Sequence, residues 1–565
     1  MHRPRPTSTV PRPGGRRAGA VEVLTTLSTL LLLLILPAPI PISTPGFGPG
    51  SLSGQEVDDP LSPPGRLRIG VAPSRTTWES RFGTRLEGGR RIEEVEPLGF
   101  DLSYDRLGAE GFPAIASLRE SLRQATGDPS LTLSLGRTRA RLHATTIRIP
   151  IQVDLGVTDW LTVGATVPFL KQRTDVGFVH SADTTNADLG FTPATGPDTP
   201  ADLFLQNVSD AVSEMQSQAE ATCSANPGSP ECQSAQSAAQ DGQLFLDGVS
   251  AGYASPLFPF ADSGAGDALR TRLADLDSRF SSHGVTSLPP PDALPLATGP
   301  LNQQDFQGVV AQSSFGVSAS PLSHWRTPWE IGDVEVHGAL RLLEGTRSEA
   351  EGWGLRSWLL GVGGLARFGT GRIDDPDRFL DRGSGDGQMD LEGRVFGDVT
   401  LARRAGLWAD IRYGIQMEGT VPRRISSSQV GFPPRAHRAD VSWDPGDYLD
   451  LEVAPRVRLT PDLALAARYR YFTKQSDSYE LAPGASPGPG VPPVTVLEDE
   501  TSQTLHETGV SVVYSTLRAV RAGRYGLPFE VRVRYRLAAG GSGGRTPNAS
   551  RIEVGARFFW TLWGE

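Results

Sequence analysis

Charged side chains recur at every second position along several stretches of this sequence. "GDVEVHGALRL" carries Asp333, Glu335, His337 and Arg341; "QMDLEGRVFGDVTL" carries Asp390, Glu392 and Arg394; "FEVRVRYRL" carries Arg532, Arg534 and Arg536. Asp410 with Arg412, then Arg456, then Arg468 with Arg470, extend the set. Two chemistries are open to such groups. A histidine beside carboxylates can move protons, and His337 with Asp333 and Glu335 is the best acid–histidine cluster in the chain. Rows of carboxylates and guanidiniums can instead pair with one another, or line a water-filled path and sort what passes along it.

The spacing dictates what must hold these groups. A period of two is that of a β-strand, whose successive side chains leave on opposite faces. The intervening residues are apolar: Val334, Val336, Leu340 and Leu342; Met389, Leu391, Val395 and Val399; Phe529, Val531, Val533 and Tyr535. The same alternation runs through "IRIPIQVDLGV", "WLTVGATVPF", 407–415, 449–459, 463–471 and the closing "RIEVGARFFWTLWGE".

Soluble sheets alternate too, but here the polar face is dense in Asp, Glu and Arg along whole strands. The connections also alternate in length. "VTD" at 157–159, "RRAG" at 403–406 and "TPD" at 460–462 are short, whereas 180–328, 372–387, 422–445, 478–498 and 541–548 are long. Short turns at one rim and long loops at the other mark an outer-membrane barrel, and each run has about the 9–11 residues a tilted strand needs to cross. In hydrocarbon only a helix or a closed sheet pairs all its backbone groups.

The expectation is an all-β transmembrane chain, a closed antiparallel outer-membrane β-barrel of about twelve strands with a helical extracellular insertion. Ten to fourteen strands fit the pattern, and "LRIGVAPSRTTW" (67–78) or "PLGFDLSYD" (97–105) supplies the twelfth. Apolar faces then meet outer-membrane lipid, and the charged residues named above become lumen-lining candidates. Acids gather on the strands at 333 and 390 and bases on those at 468 and 532. In a twelve-strand ring these groups face each other and would set a field across the pore. Pro455, in mid-strand, predicts a bulge there.

The remainder divides around the barrel. Arg3, Arg5, Arg12, Arg16 and Arg17 precede an apolar run, 27–36, and a small-residue tail. That is the order of a secretory signal, so 1–54 is assigned to a signal peptide and flexible N-terminus. Residues 55–139 hold the N-terminal strand or strands and a short helix at 112–127; 140–179 form the first barrel hairpin; 180–328 are the insertion; 329–565 are the rest of the barrel. The 565-residue chain has a formal net charge of −10 and no basic stripe, which excludes a nucleic-acid partner. Cys223 and Cys232 are its only cysteines; in an exported chain they predict one disulfide, stapling a helical hairpin. Residues 281–300 are Pro- and Ser-rich and predict a linker.

"IPIQVDLGVTDWLTVGATVPFL", "GDVEVHGALRLL" and the later "GTG" and "GDG" resemble the outer-membrane transporter-like β-barrel family linked to the meta-pathway of phenol degradation, most specifically through 155–168. The resemblance spans about 140–180 and 330–565 and leaves out the insertion. It implies a porin-like transporter of a Gram-negative type envelope, passing small, hydrophobic or aromatic molecules. Its partners would be lipid, the outer-membrane assembly machinery and the solute, with no cofactor.

Two other classes compete. The barrel would anchor the insertion for adhesion or partner docking, since a loop of that length is usually functional. A hydrolase would need Ser502 and His506 to meet, or the His337 cluster to be reachable, and His337 lies mid-wall. The loop 374–387 has five aspartates, a composition calcium favours, but not the spacing of a twelve-residue calcium loop. No phosphate, zinc or haem motif is present, and no catalytic or metal residue is assigned.

Overall fold

The structure, a computed structural model, describes residues 60–563 apart from 88–89, 313–314, 319–321, 347–353, 379, 402–403, 429, 489 and 525. The expected signal peptide lies outside the described residues.

Apart from four strands of two or three residues, the strands in chain order are β1 (Arg66–Val71), β2 (Ser74–Glu87), β3 (Arg90–Pro97), β4 (Arg137–Gly156), β5 (Leu161–Ser181), β6 (Val334–Thr346), β7 (Ser357–Phe368), β8 (Asp390–Thr400) and β9 (Ala405–Gln416). They continue with β10 (Gly419–Arg424), β11 (Arg438–Asp444), β12 (Tyr448–Arg458), β13 (Leu463–Lys474), β14 (Ser478–Leu481), β15 (Gln503–Ser515), β16 (Phe529–Ser542) and β17 (Thr546–Thr561).

β1 and β2 share one wall position, because both lie between β4 and β17: Arg68 pairs with Asp154 and Phe559, and Ser74 with Arg148 and Glu553. From there antiparallel pairing runs through β4, β5, β6, β7, β8, β9, β12, β13, β15, β16 and β17, and back to the start. The ring is closed and has twelve wall positions. Of the two sequence candidates for the twelfth strand, 67–78 builds the wall. Residues 97–105 add no wall strand: they lie against β2 and β4 through Leu98 N to Glu79 O at 3.0 Å, Ala140 N to Ser103 Oγ at 3.0 Å and a bridge from Tyr104 to Thr138.

Side chains sort as the alternation requires. Val336, Val395, Ile411, Val453, Val510 and Trp560 are exposed on the outer surface, a band far larger than a soluble monomer shows. Their neighbours in sequence point inward and carry the charges. A closed antiparallel sheet with an apolar outer belt belongs in the outer membrane.

Two local expectations are corrected. Pro455 causes no bulge: it sits opposite Leu407, and the β12–β13 register is unchanged from Val453–Tyr469 to Arg456–Ala466. Its missing N–H interrupts the ladder without shifting it. The register shifts fall instead at Trp78/Arg81, Arg341/Leu343 and His506/Glu507. The strict alternation of connection length also fails. β16 and β17 meet in a tight turn with Gly543 at φ 89°, since 540–542 continue the ladder instead of breaking it, while the opposite rim between β15 and β16 carries the short helix 517–521.

Beyond the wall stands a helical cap of α1 (Ala116–Thr126), α2 (Pro200–Ala225), α3 (Pro230–Tyr253), α4 (Gly264–Ser282) and α5 (Gln303–Ala311). Thr199, Ser229, Ser263 and Asn302 accept backbone N–H groups at four of the N-termini, where orphan donors need such partners. Leu122, Met215, Phe245, Leu273, Phe280 and Phe306 form its core. Gly248 lets α1 lie against α3, since a Cβ there would be 2.7 Å from that of Ala125. Cys223 and Cys232 are disulfide-bonded at the α2–α3 tip. The expected linker is part of this core: Leu288 and Leu294 are buried in it, and Tyr253 Oη donates to Pro295 O at 2.7 Å.

The cap is continuous with the wall. Its core includes Ala140, Leu142 and Phe178, on the inner faces of β4 and β5, and Phe432 from the β10–β11 connection. The cap therefore leans on the inside of the tall β4–β5 hairpin, at the rim opposite the chain end. We call this the upper rim and the other the lower.

Candidate functional site: the lumen

The pleat and register place the inward side chains in tiers. Glu335, Arg367 and Asp390 share one tier; Glu452, Arg470 and Glu507 share another; Arg534 and Glu553 a third. Neighbours within a tier are a strand spacing apart, close enough for ion pairs along the wall.

The pairing follows these tiers. Arg367 bonds Asp390 at 2.7 Å and Glu335 at 3.3 Å. Arg394 and Arg412 both grip Asp410, at 2.8 and 2.7 Å. Arg470 bridges Asp450 at 2.8 Å and Glu507 at 2.7 Å. Arg468 and Arg536 meet on Glu452, Arg532 reaches Glu553 at 3.0 Å, and Arg534 reaches it at 3.8 Å. Arg456 pairs with Asp398, and Arg341 with Glu344 near the lower rim. Glu392 accepts from Tyr448 Oη at 2.7 Å, and Asp333 from the backbone of Gly371 at 2.8 Å.

This sideways pairing weakens the field expected across the pore. The acid-rich and base-rich strands do stand on opposite arcs, but many of the charges on each are neutralised by their neighbours. Arg367 is the residue that does so for Asp390 and Glu335. Its strand "WLLGVGGLARF" alternates poorly because glycines replace side chains, so its inward parity was hidden in the sequence.

His337 meets neither Asp333 nor Glu335, its partners of two residues' spacing. It bonds Asp154 of β4 at 2.7 Å, and Asp154 also accepts from Arg68 Nε at 2.8 Å. His506 is on the outer face, bonded to Tyr469 Oη at 2.7 Å and lying against Tyr471 instead of joining Ser502. The aspartates of the 374–387 loop are met by guanidiniums: Asp374 by Arg423 at 2.8 Å, Asp377 by Arg438 at 2.7 Å and Asp381 by Arg372 at 2.8 Å.

That loop also enters the barrel. Gln172, inward on β5, donates to Gly383 O at 2.6 Å, and Arg382 lies 4.4 Å above the ring of Trp78, inward on β2. Burial pushes the Arg382 guanidinium down to about 10, so it is still a cation at neutral pH. Asp386 is pushed up to about 6, by burial first and then by Asp390 and Asp333.

At the lower rim the lumen is filled. Residues 60–65 precede β1 and lie within the barrel. Arg68 donates to Pro60 O at 2.8 Å and Leu61 O at 3.1 Å, and Ser62 N donates to Thr162 Oγ1 at 2.8 Å. Leu61 is buried among Ala339, Leu359, Phe396, Trp408 and Ala454. Nothing in the alternating pattern signalled this slot, since its aromatic members look like breaks in a polar row.

No protein-family model and no curated protein matches the chain. Among solved structures, an outer membrane channel from Pseudomonas putida F1 aligns over 89% of this chain and 100% of its own at 8% identity, with a TM-score of 0.37. The translocator domain of the autotransporter NalP from Neisseria meningitidis covers 96% of each at 7% identity and a TM-score of 0.24. The Pseudomonas putida toluene transporter TodX covers 88% and 89% at 11% identity and a TM-score of 0.21. Likeness at this level carries no argument about function, and the fold stands on its own strand pairing.

Proposed function

We propose that the protein is an outer-membrane channel that passes small molecules, hydrophobic or aromatic ones among them. One observation carries this reading: several inward guanidiniums stay wet, although carboxylates they pair with, such as Asp390 and Asp410, are enclosed. Arg148, Arg412 and Arg367 keep side-chain exposures of 42%, 34% and 26% although they face the inside of a closed sheet. A solid, salt-bridged interior would bury its ions, as happens at the lower rim, where Arg68 and Asp154 are 3% and 1% exposed. Water therefore reaches well into the barrel, and paired charges around it give a polar wall without a strong preference of sign.

The cap fits this reading as an extracellular lid. A docking module would stand clear of the mouth, whereas this one shares its core with Phe178 and Ala140 of the inner wall. The His337 and His506 environments offer no reachable nucleophile–base pair.

The experiment is single-channel recording of the full mature protein in planar bilayers, beside uptake of small aromatic solutes by proteoliposomes. Discrete conductance steps and solute entry above that of empty vesicles support the channel. A silent bilayer with no uptake removes it.

A further inference from the structure

We infer that the slot formed by Phe396, Trp408, Leu359, Ala339 and Ala454 is a binding site for an uncharged apolar molecule of single-ring size, and that Leu61 is its internal stand-in. The inference rests on the channel reading and names the kind of solute that reading requires.

The slot is built, not incidental. Phe396 and Trp408 are inward on adjacent strands and stack at 5.8 Å with 23° between planes. Phe396 can lie flat on the wall only because position 361 is glycine: a Cβ there would sit 2.2 Å from its ring. Ala339 and Ala454 are small, which leaves room for Leu61 against the aromatic pair, while the Arg394 guanidinium lies 5.4 Å over the Phe396 ring. Around it the same strands carry ions, including Asp398, Asp410, Arg394 and Arg456. An apolar concavity amid charges would hold water poorly, and dry apolar cavities of this lining take up benzene-sized molecules.

What fills it now is a single side chain on a short tether. Leu61 is 2% exposed, yet its segment is fastened by backbone groups, through Arg68 to the carbonyls of Pro60 and Leu61 and through Thr162 to Ser62. Those bonds do not depend on the leucine side chain being seated. An apolar solute that replaces the isobutyl group recovers the same contacts and turns the Leu61 side chain out of the slot, while those bonds keep the segment in place.

The test uses the full protein in proteoliposomes, with Leu61→Cys as a reporter. Both native cysteines are in the disulfide, so the new thiol is the one that a charged methanethiosulfonate reagent modifies. Benzene is the probe, and Pro64→Cys, at an exposed position of the same segment, is the reference for effects on lipid. The expected result is slow labelling of Leu61→Cys without benzene, at least tenfold faster labelling with it, and no change at Pro64→Cys. Adding Trp408→Ala should abolish the benzene effect. Labelling of Leu61→Cys that ignores benzene, or that equals Pro64→Cys from the start, overturns the site. Gly361→Ala, on a strand outside residues 60–65, gives a second readout: it should weaken the benzene response by displacing Phe396, and an unchanged response counts against the slot. Failure here with conductance intact removes the site and leaves the channel. A benzene response in a protein that never conducts removes the channel and leaves the site.

Discussion

Arg68 Nε donates to Asp154 Oδ2 at 2.8 Å, and both side chains are almost completely enclosed. The remaining nitrogens of the same guanidinium hold the carbonyls of Pro60 and Leu61. One buried ion pair therefore fixes both a wall strand and the segment that fills the lower rim. Arg68→Gln should cost stability and closure together. Breaking a buried pair costs about 3–5 kcal/mol, reduced here because His337 still bonds Asp154. The expected outcome is a lower thermal midpoint and a higher open probability in bilayers. A destabilised variant with unchanged conductance would show that residues 60–65 do not control the path.

Asp386 gives the upper lumen a pH dependence. Its ordinary value is 3.8 and burial beside Asp390 and Asp333 raises it to about 6 in the folded protein. A carboxyl raised on folding stabilises the fold in its protonated form. That contribution is complete below about pH 4, declines as pH rises through 6, and is gone above it. Allowing for solvent, it amounts to about 2 kcal/mol. Asp386→Asn should match the parent near pH 4 and be the more stable protein at pH 7, measured by thermal unfolding in detergent. Identical pH profiles for the two proteins would contradict this account.

The disulfide closes nine residues of sequence separation between α2 and α3. Chain-entropy reasoning assigns such a loop about 2–3 kcal/mol. The double variant Cys223→Ser, Cys232→Ser should lower the midpoint of the cap while leaving the barrel's own melting in place. Protease cutting near 226–229 is the sensitive measurement, because Gly228 and its neighbours turn there. A barrel that melts with the cap would show that the two fold as one unit.

Much of the wall was legible because a membrane barrel obeys a rule of two: lipid outside and charge inside leave their signature residue by residue, as in 333–341 and 529–537. The twelfth strand was harder to read, since Ala72-Pro73 splits it into β1 and β2 and β1, at six residues, is short of a crossing. The pairing of the lumen was less legible still. Parity says that Asp333, Glu335 and His337 point inward, but not that His337 reaches across to Asp154, because register between strands is set by turns and bulges far from either residue. The slot at Phe396 and Trp408 was invisible for a related reason: its occupant, Leu61, belongs to a segment without periodicity, and only the closed ring brings the two together.

Arg382 supplies the last prediction, about what the lumen selects. It sits on the 369–389 loop, which crosses inside the wall to Gln172 and to the face of Trp78. Its Nη1 is enclosed and has no hydrogen-bond partner among the described residues. A guanidinium stacked on an indole keeps its charge and its directional donors, so at this depth it should attract anions and obstruct cations. Arg382→Ala should raise conductance by removing bulk from the path, and Arg382→Glu should move the reversal potential in a salt gradient toward cations. Many of the neighbouring charges among the described residues are paired along the wall, so a change of sign at Arg382 should be felt by passing ions. If both variants keep the parental reversal potential, the ions pass elsewhere, and the loop does not form the constriction.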